Sequence, residues 1–328
     1  MNMKKIQKFT TGNPAFTNPS PASYAGEFAG QYISAALLSA KTLDNRYVTI
    51  KPNIKFKEVI QKVALAGIVQ DASCDFVTSG SVTLSEQVLT PKELQVNLSL
   101  CKQEFVDSWE ALQLGYSAFD TIPANFNDYL ISYTSAFVAQ STEESIWKGT
   151  ATNGSFTGFE SLFSASIAAG GATAVLAAKT GSAIDSGSIT AANVINKLGN
   201  VYDTIPAAVY GKEDLVIYVG SAVGKAYQTA LGGNANQSGF NTQMNVGEKP
   251  FNFQGIEIVL CPGMSANKIV AAQKSNLFFG TGLLSDSNEV RVLDMANLDG
   301  SQNYRVIMRY TAGVQFGIGQ DIVYYGAY

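Results

Sequence analysis

Between Tyr47 and Gln103 the chain alternates apolar and polar residues over far more length than one strand needs, and this stretch constrains the fold most. Val48, Ile50, Ile54 and Phe56 alternate with polar neighbours, the period of two that marks a half-buried strand. Val59 to Val69 continues apolar, and a polar tip follows around Asp71-Ala72-Ser73 and Ser79-Gly80-Ser81. The chain then returns through Val82, Leu84 and, after Pro91, through Leu94, Val96, Leu98 and Leu100. The pattern predicts a two-stranded ribbon of roughly 50 residues, with Gly67 and Gly80 as points of flexure, and an isolated hairpin is marginal in water. Its apolar residues need a surface, and nothing else in the sequence obviously offers one. The ribbon therefore predicts a neighbouring molecule as its cover.

The flanking segments read differently. Residues 1 to about 30 hold Pro14, Pro19 and Pro21 among Asn, Thr and Ser, which predicts an extended arm without a core of its own. An Ala-rich stretch from Gly30 to Leu43 has the makings of a short helix. A long helix is predicted beyond Pro123, with Asn125 as cap and Asp128 favouring the N-terminal dipole. Phe126, Leu130, Tyr133 and Phe137 fall on one face with Tyr129 and Val138 beside them, Trp147 lies near the end, and Gly149 suits the position after it. Residues 149–187 are Gly-, Ala-, Ser- and Thr-rich and predict loops with short strands. Thr190 is placed as the cap of a helix carrying Val194, Ile195, Leu198, Val201 and Tyr202. The run Leu215-Val216-Ile217-Tyr218-Val219 reads as a buried strand, and Ser221 opens a helix that Gly232-Gly233 stops. Further strands are expected at Ile256–Leu260, Lys268–Ala272, Val290–Leu293, Tyr304–Tyr310 and Ile322–Tyr325. Helices and strands alternating about one sheet indicate a compact α/β unit.

Composition narrows the chemistry. The 328 residues, 46% hydrophobic and 15% charged, suit one large domain or two intimately connected ones. Net charge is −4, but residues 1–62 carry nine basic side chains against three acids, leaving −10 for the remainder. Such an arm suits an anionic partner, either nucleic acid or an acidic neighbouring surface, and the alternative is a solvated basic arm. The chain has no histidine, which removes Ser-His-Asp and Cys-His catalysis and the usual zinc sites. The acidic pairs Glu143-Glu144 and Glu213-Asp214 read as solvated positions. Gly220-Ser221-Ala222-Val223-Gly224-Lys225-Ala226 fails as a phosphate loop, since its glycines stand too close and Ala226 replaces the hydroxyl residue. Cys74, Cys101 and Cys261 form no C-x-x-C pair. No signal peptide, membrane span, cofactor, metal or catalytic residue is expected, and assembly in the cytosol is.

The order of parts resembles the HK97-type major capsid protein of tailed phages. Local wording matches as well. Phe137-Val138-Ala139-Gln140-Ser141-Thr142-Glu143-Glu144-Ser145-Ile146-Trp147-Lys148-Gly149 looks like the end of that family's spine helix, and Phe156-Thr157-Gly158-Phe159 like the turn after it. Val201-Tyr202-Asp203-Thr204-Ile205-Pro206 leading to Leu215–Gly220 is similar to the family's A-domain helix and strand. So are Pro262-Gly263-Met264, Ile269-Val270-Ala271 and Ser275-Asn276-Leu277-Phe278-Phe279-Gly280-Thr281.

The resemblance implies an α+β, HK97-like capsid fold: an N-terminal arm over 1–53, an extended β-ribbon E-loop over 54–104, and a P-domain over 105–190 with its spine helix at about 126–148. An α/β A-domain over 191–285 and closing strands over 286–328 complete it. The implied function is a non-enzymatic subunit that self-assembles, through hexamers and pentamers, into the icosahedral head shell around the phage double-stranded DNA. Portal, scaffold and decoration proteins are the implied partners, with the basic arm (Lys4, Lys5, Lys8) touching DNA non-specifically and no membrane involved. The chain lacks a charged helical leader, so a fused scaffold is not expected. Some members weld neighbours by Lys–Asn isopeptide bonds, for which Lys55, Lys57 and Lys62 are the ribbon lysines available. The alternatives are an encapsulin-like compartment shell and a carboxylate-based hydrolase.

Overall fold

A computed structural model describes residues 41–66, 69, 71–72, 74, 79–101, 124–232, 251–282, 290–295 and 300–326. The proline-bearing arm with Lys4, Lys5 and Lys8 lies outside the described residues, as do Gly67 and most of the ribbon tip. A short helix α1 (Lys41–Asp44) and strand β1 (Thr49–Lys51) lead to β2 (Glu58–Ala66), β3 (Ser81–Leu89) and β4 (Lys92–Cys101). Helices α2 (Ala124–Lys148) and α3 (Phe159–Ala169) precede three two-residue strands, β5 (Leu176–Ala177), β6 (Lys179–Thr180) and β7 (Ala183–Ile184). Then come α4 (Val194–Thr204), β8 (Leu215–Val219), α5 (Ser221–Gly232), β9 (Phe251–Phe253), β10 (Ile256–Leu260) and β11 (Ile269–Gln273). Strands β12 (Leu277–Thr281), β13 (Val290–Asp294), β14 (Asn303–Phe316) and β15 (Val323–Tyr325) close the fold.

Two sheets organise these strands. The first is built on β14, whose 14 residues pair antiparallel with β4 along one edge and with β13 and then β12 along the other; β1 adds parallel to β12. The second has the order β5-β15-β11-β8-β10-β9. Its central strands are buried on both faces, which explains why Leu215–Val219 reads as an unbroken apolar run. Val216, Tyr218, Val270, Ala272 and Tyr324 point into a core shared with Trp147, Phe156, Phe159 and Phe163. The alternate residues Ile217, Val219, Ile269, Ala271 and Val323 point into a second core with Val194, Leu198, Val201 and Val223 of α4 and α5. One strand's two faces thus serve two cores, and the pleat is what separates them.

The alternating stretch does not form one ribbon. Strands β2 and β3 pair with each other alone, whereas Lys92–Cys101 turns away and pairs with β14 over all ten residues. The reason is a competing edge: β14 offers a continuous ladder, and Leu94 buries its side chain in the shared core.

On helix α2 one predicted core residue is displaced: Phe137 is 59% exposed, while Val138 is buried as expected together with Thr134, Thr142, Glu143, Ser145, Ile146 and Trp147. Phe126, Tyr129, Leu130 and Tyr133 of the predicted face lie outside the described side chains. A count of apolar residues passes over the polar groups that this helix buries. Helix α3 was expected to be loop. Phe159, Leu162, Phe163 and Ile167 have the helical i, i+3, i+4, i+8 spacing, masked by the small residues around them.

The cap of α4 shifts too. Asn193 precedes the helix, its side chain accepting from the Thr190 N–H at 2.8 Å, so Thr190 opens a preceding turn. Gly149 serves close approach, with no positive φ: a Cβ there would overlap the Phe156 carbonyl oxygen and lie 2.6 Å from that of Ser145. Gly158 interlocks with it, donating its N–H to the Gly149 carbonyl at 2.8 Å. A second glycine, Gly80, does use its freedom, taking φ 88° at the entry to β3.

Candidate functional site

The register of β2 and β3 sets Val59 opposite Val88, Gln61 opposite Glu86, Val63 opposite Leu84 and Leu65 opposite Val82. Because alternate residues share a face of the pleat, these eight residues lie on one side, six of them aliphatic. The opposite side carries Glu58, Ile60, Lys62, Ala64 and Ala66 with Leu89, Gln87, Ser85, Thr83 and Ser81. At the root it is this second side that meets the body. Leu89 is fully buried against Gly280, where any Cβ would clash with it. Ile60 lines an open cleft of about 330 Å³ with Phe278, Gly317 and Ile318. The Gln315 side chain donates to the Val88 carbonyl at 3.1 Å and fixes the ribbon's departure.

At the root, Val59 and Val88 therefore turn away from the described body. They are 47% and 44% exposed there, and Gln61 spans to Glu86 at 3.0 Å. Covering each valine is worth roughly 1 kcal/mol, since each is already half-shielded. Predicted alternation put Phe56 on a strand with Ile54. In the structure Ile54 is buried, but Phe56 sits in a bend and is 84% exposed.

A buried junction holds the ribbon's base, the arm root and both sheets in fixed relation. Glu143, expected at a solvated position, is fully buried on α2. Its carboxylate accepts the Thr42 N–H at 3.1 Å and the Thr42 hydroxyl at 2.6 Å, and that hydroxyl accepts the Trp147 indole N–H at 3.0 Å. Burial raises the Glu143 pKa, and hydrogen bonds from Thr42, Gly263 and Trp147 oppose the rise. Gly263 lies so close to the Glu143 backbone that no side chain fits there. A second buried acid, Glu160 on α3, accepts the Ser265 N–H at 2.7 Å. Two carboxylates from α2 and α3 thus clamp the turn between β10 and β11. Sequence reasoning missed Glu160, whose signal was its place in the first turn of an unrecognised helix.

Trp147 packs against Phe159 and Tyr218 with ring centroids 5.5 and 5.3 Å apart, and the Tyr218 hydroxyl donates to the Tyr47 carbonyl at 2.6 Å. Cys261 is buried in the same junction, and its thiol pKa is pushed well up by burial, which keeps it an inert packing group.

Of the remaining acids read as solvated, Glu213 is exposed as expected, and the other two have partners. Glu144 pairs with Lys148 at 3.6 Å on the surface. Asp214, read as solvated, accepts the Gln273 side-chain N–H at 2.7 Å and the Ser275 hydroxyl, tying β8 to the turn before β12. Asp185 is buried: burial would raise its pKa, but hydrogen bonds from Lys197, Thr180 and Asn200 bring it down to about 2. The cleft below the ribbon holds one carboxylate, Asp321, and a second cleft beside α4 also holds one, Asp203. Neither presents two facing acids. Among the described residues no group of three His, Cys, Asp or Glu side chains stands close enough to hold a metal ion, and no helix is long and apolar enough to cross a membrane.

No protein-family profile matches the chain, and no curated protein matches it in sequence. Solved structures do match it in shape. A chain of the cyanophage A-1(L) capsid aligns at TM-score 0.59 with 12% identity, covering 89% of this chain and 94% of that one. The capsid of Myoviridae phage XM1 aligns at 0.54 with 12% identity over 87% and 90% of the two chains, and a chain of Mycobacterium phage Che8 at 0.52 with 13% identity over 90% of each. The fold is the HK97-like capsid fold that these neighbours share.

Proposed function

We propose that this chain is the major capsid protein of a tailed bacteriophage, a structural tile that self-assembles into the icosahedral shell around the phage double-stranded DNA. The observation that carries the reading is the half-exposed pair Val59 and Val88 at the ribbon's root, turned away from the described body of their own subunit. Hydrophobic surface so placed asks for a cover, and a second copy is the partner every assembling subunit has at hand. A specific contact buries on the order of 800 Å² per partner, and a ribbon plus an N-terminal arm supplies more than one such contact per subunit. Contacts that are weak singly become tight when several close at once.

Under this reading residues 1–53 form the arm and 54–104 the E-loop region, of which β2 and β3 protrude while β4 roots the loop in the P-domain sheet. Residues 105–190 with α2 as spine helix make the P-domain, 191–285 the A-domain, and 286–328 the closing strands. The buried Glu143 and Glu160 clamps hold P-domain helices to the A-domain turn, so that the tile rotates as one piece. The arm, with six net positive charges over residues 1–62, lies against packaged DNA or an acidic neighbouring surface. Hexamers, pentamers, a portal and scaffold or decoration proteins complete the virion.

Electron microscopy of the purified chain at rising concentration tests the proposal. Closed shells, rings or tubes support it, and shells filled with an enzyme cargo in place of DNA would identify a protein compartment instead. A monodisperse monomer at high concentration overturns it.

A further inference from the structure

Phe56 is the most exposed aromatic side chain among the described residues and is bracketed by two exposed lysines, Lys55 and Lys57. Its presentation is fixed from both ends. On one side Asn53 adopts φ 65°, its N–H donates to the Gly282 carbonyl at 2.5 Å, and the Ile54 N–H donates to that of Thr281 at 3.1 Å, with the Ile54 side chain buried below. On the other, Glu58 begins β2 and pairs with Lys51 at 2.5 Å. Lys51 is thereby occupied, and it also lies over the Phe278 ring. Among the described residues no carboxylate stands within ion-pair distance of Lys55 or Lys57. An aromatic ring at nearly full exposure, held out by buried anchors, is apolar surface that a partner would cover, and among the described residues neither flanking lysine has an ion-pair partner.

We propose that Lys55-Phe56-Lys57 is an intersubunit anchor, in which Phe56 enters an apolar seat rimmed by carboxylates on a second copy of the chain. The charge distribution selects that occupant. Residues 63–328 carry ten net negative charges, so each neighbouring copy presents an excess of acid to a tripeptide bearing two cations. The anchor sits two residues before the half-exposed Val59, at the point where the ribbon leaves the body. The inference rests on the shell reading and assigns within it which residues set the strength and salt response of the contact. The ribbon contributes area, and the anchor contributes an ionic-strength-dependent lock.

The test compares three variants of the full chain in assembly assays followed by light scattering and electron microscopy. Phe56→Ala raises the critical concentration for assembly at least tenfold with an unchanged thermal midpoint. Lys55→Glu with Lys57→Glu raises it similarly at low salt, and the gap from the unmodified chain narrows as salt rises. Val59→Asp with Val88→Asp serves as the ribbon control. If the control blocks assembly while Phe56→Ala assembles at the wild-type concentration, the anchor is refuted and the shell reading stands. If none of the variants changes assembly, both fall. Phe56→Ala particles that form normally but retain less nucleic acid would mean that the tripeptide faces the genome, which also overturns the proposal.

Discussion

Strands β3 and β4 are neighbours in sequence, separated by Thr90 and Pro91, and carry the same alternating pattern, yet they meet opposite fates. β4 finds ten residues of ladder on β14 and sinks Leu94 into the main core. Among the described strands β3 pairs only with β2, and the pair leaves Val59 and Val88 facing outward at its root. The comparison teaches that alternation states a demand for cover and is silent on who supplies it. Where the subunit has a free edge, the demand is met by folding. Where the described residues offer none, the demand stays unmet among them, and the shell reading assigns it to another copy.

The comparison makes a double dissociation expected: changes on the ribbon side should strike assembly and spare folding, and changes in the body should do the reverse. The largest effect is expected from Val59→Asp with Val88→Asp, which should abolish particles in electron micrographs while the circular dichroism spectrum and melting temperature hold. A melting temperature that fell with assembly would break the distinction. On the other side, Leu94→Asp places a charge in the shared core and should cost about 4 kcal/mol or more, seen as loss of soluble chain before any question of assembly arises. Gly149→Ala drives a methyl group into the Phe156 carbonyl and should cost about 3 kcal/mol in denaturant unfolding.

Smaller effects sharpen the same line through pH. Asp185 has a folded pKa of about 2, below its ordinary 3.8, so its contribution is present above the ordinary value and is lost as pH falls toward 2. Asp185→Asn should remove at most about 2 kcal/mol at neutral pH and flatten the acid limb of the melting curve in that window, leaving assembly geometry intact. Glu143 has the opposite sign: its raised pKa gives stability that is present below the ordinary 4.5 and is lost as pH rises through the folded value. Glu143→Gln should therefore narrow its melting deficit against the unmodified chain as pH rises above that range, a change readable by calorimetry. Equal deficits at every pH would mean that the junction leaves the Glu143 carboxyl with the same proton affinity as in the unfolded chain.

Much of the architecture was legible from residues alone. The two-faced run Leu215–Val219, the helices on either side of it and the closing strands follow from periodicity, because burial on one or both sides of an element leaves a direct mark in the residue pattern. The junction was not legible. Glu143 looks solvated in a sequence, since what makes a buried carboxylate tolerable is a set of backbone and hydroxyl donors that come from Thr42 and Gly263, 101 residues before it and 120 after it. Helix α3 was hidden by small residues, and the buried side of α2 by satisfied polar ones.

By itself, then, the sequence determined the periods: which segments extend, which coil, and that an alternating stretch near the N-terminus exceeds what one core absorbs. Only the tertiary structure decided how that stretch divides, sending β4 to β14 and leaving β2 and β3 outside. The physical reason is that side-chain alternation is a local property of the backbone, whereas a partner edge is a relation between segments about 200 residues apart, and no local pattern encodes which edges remain free.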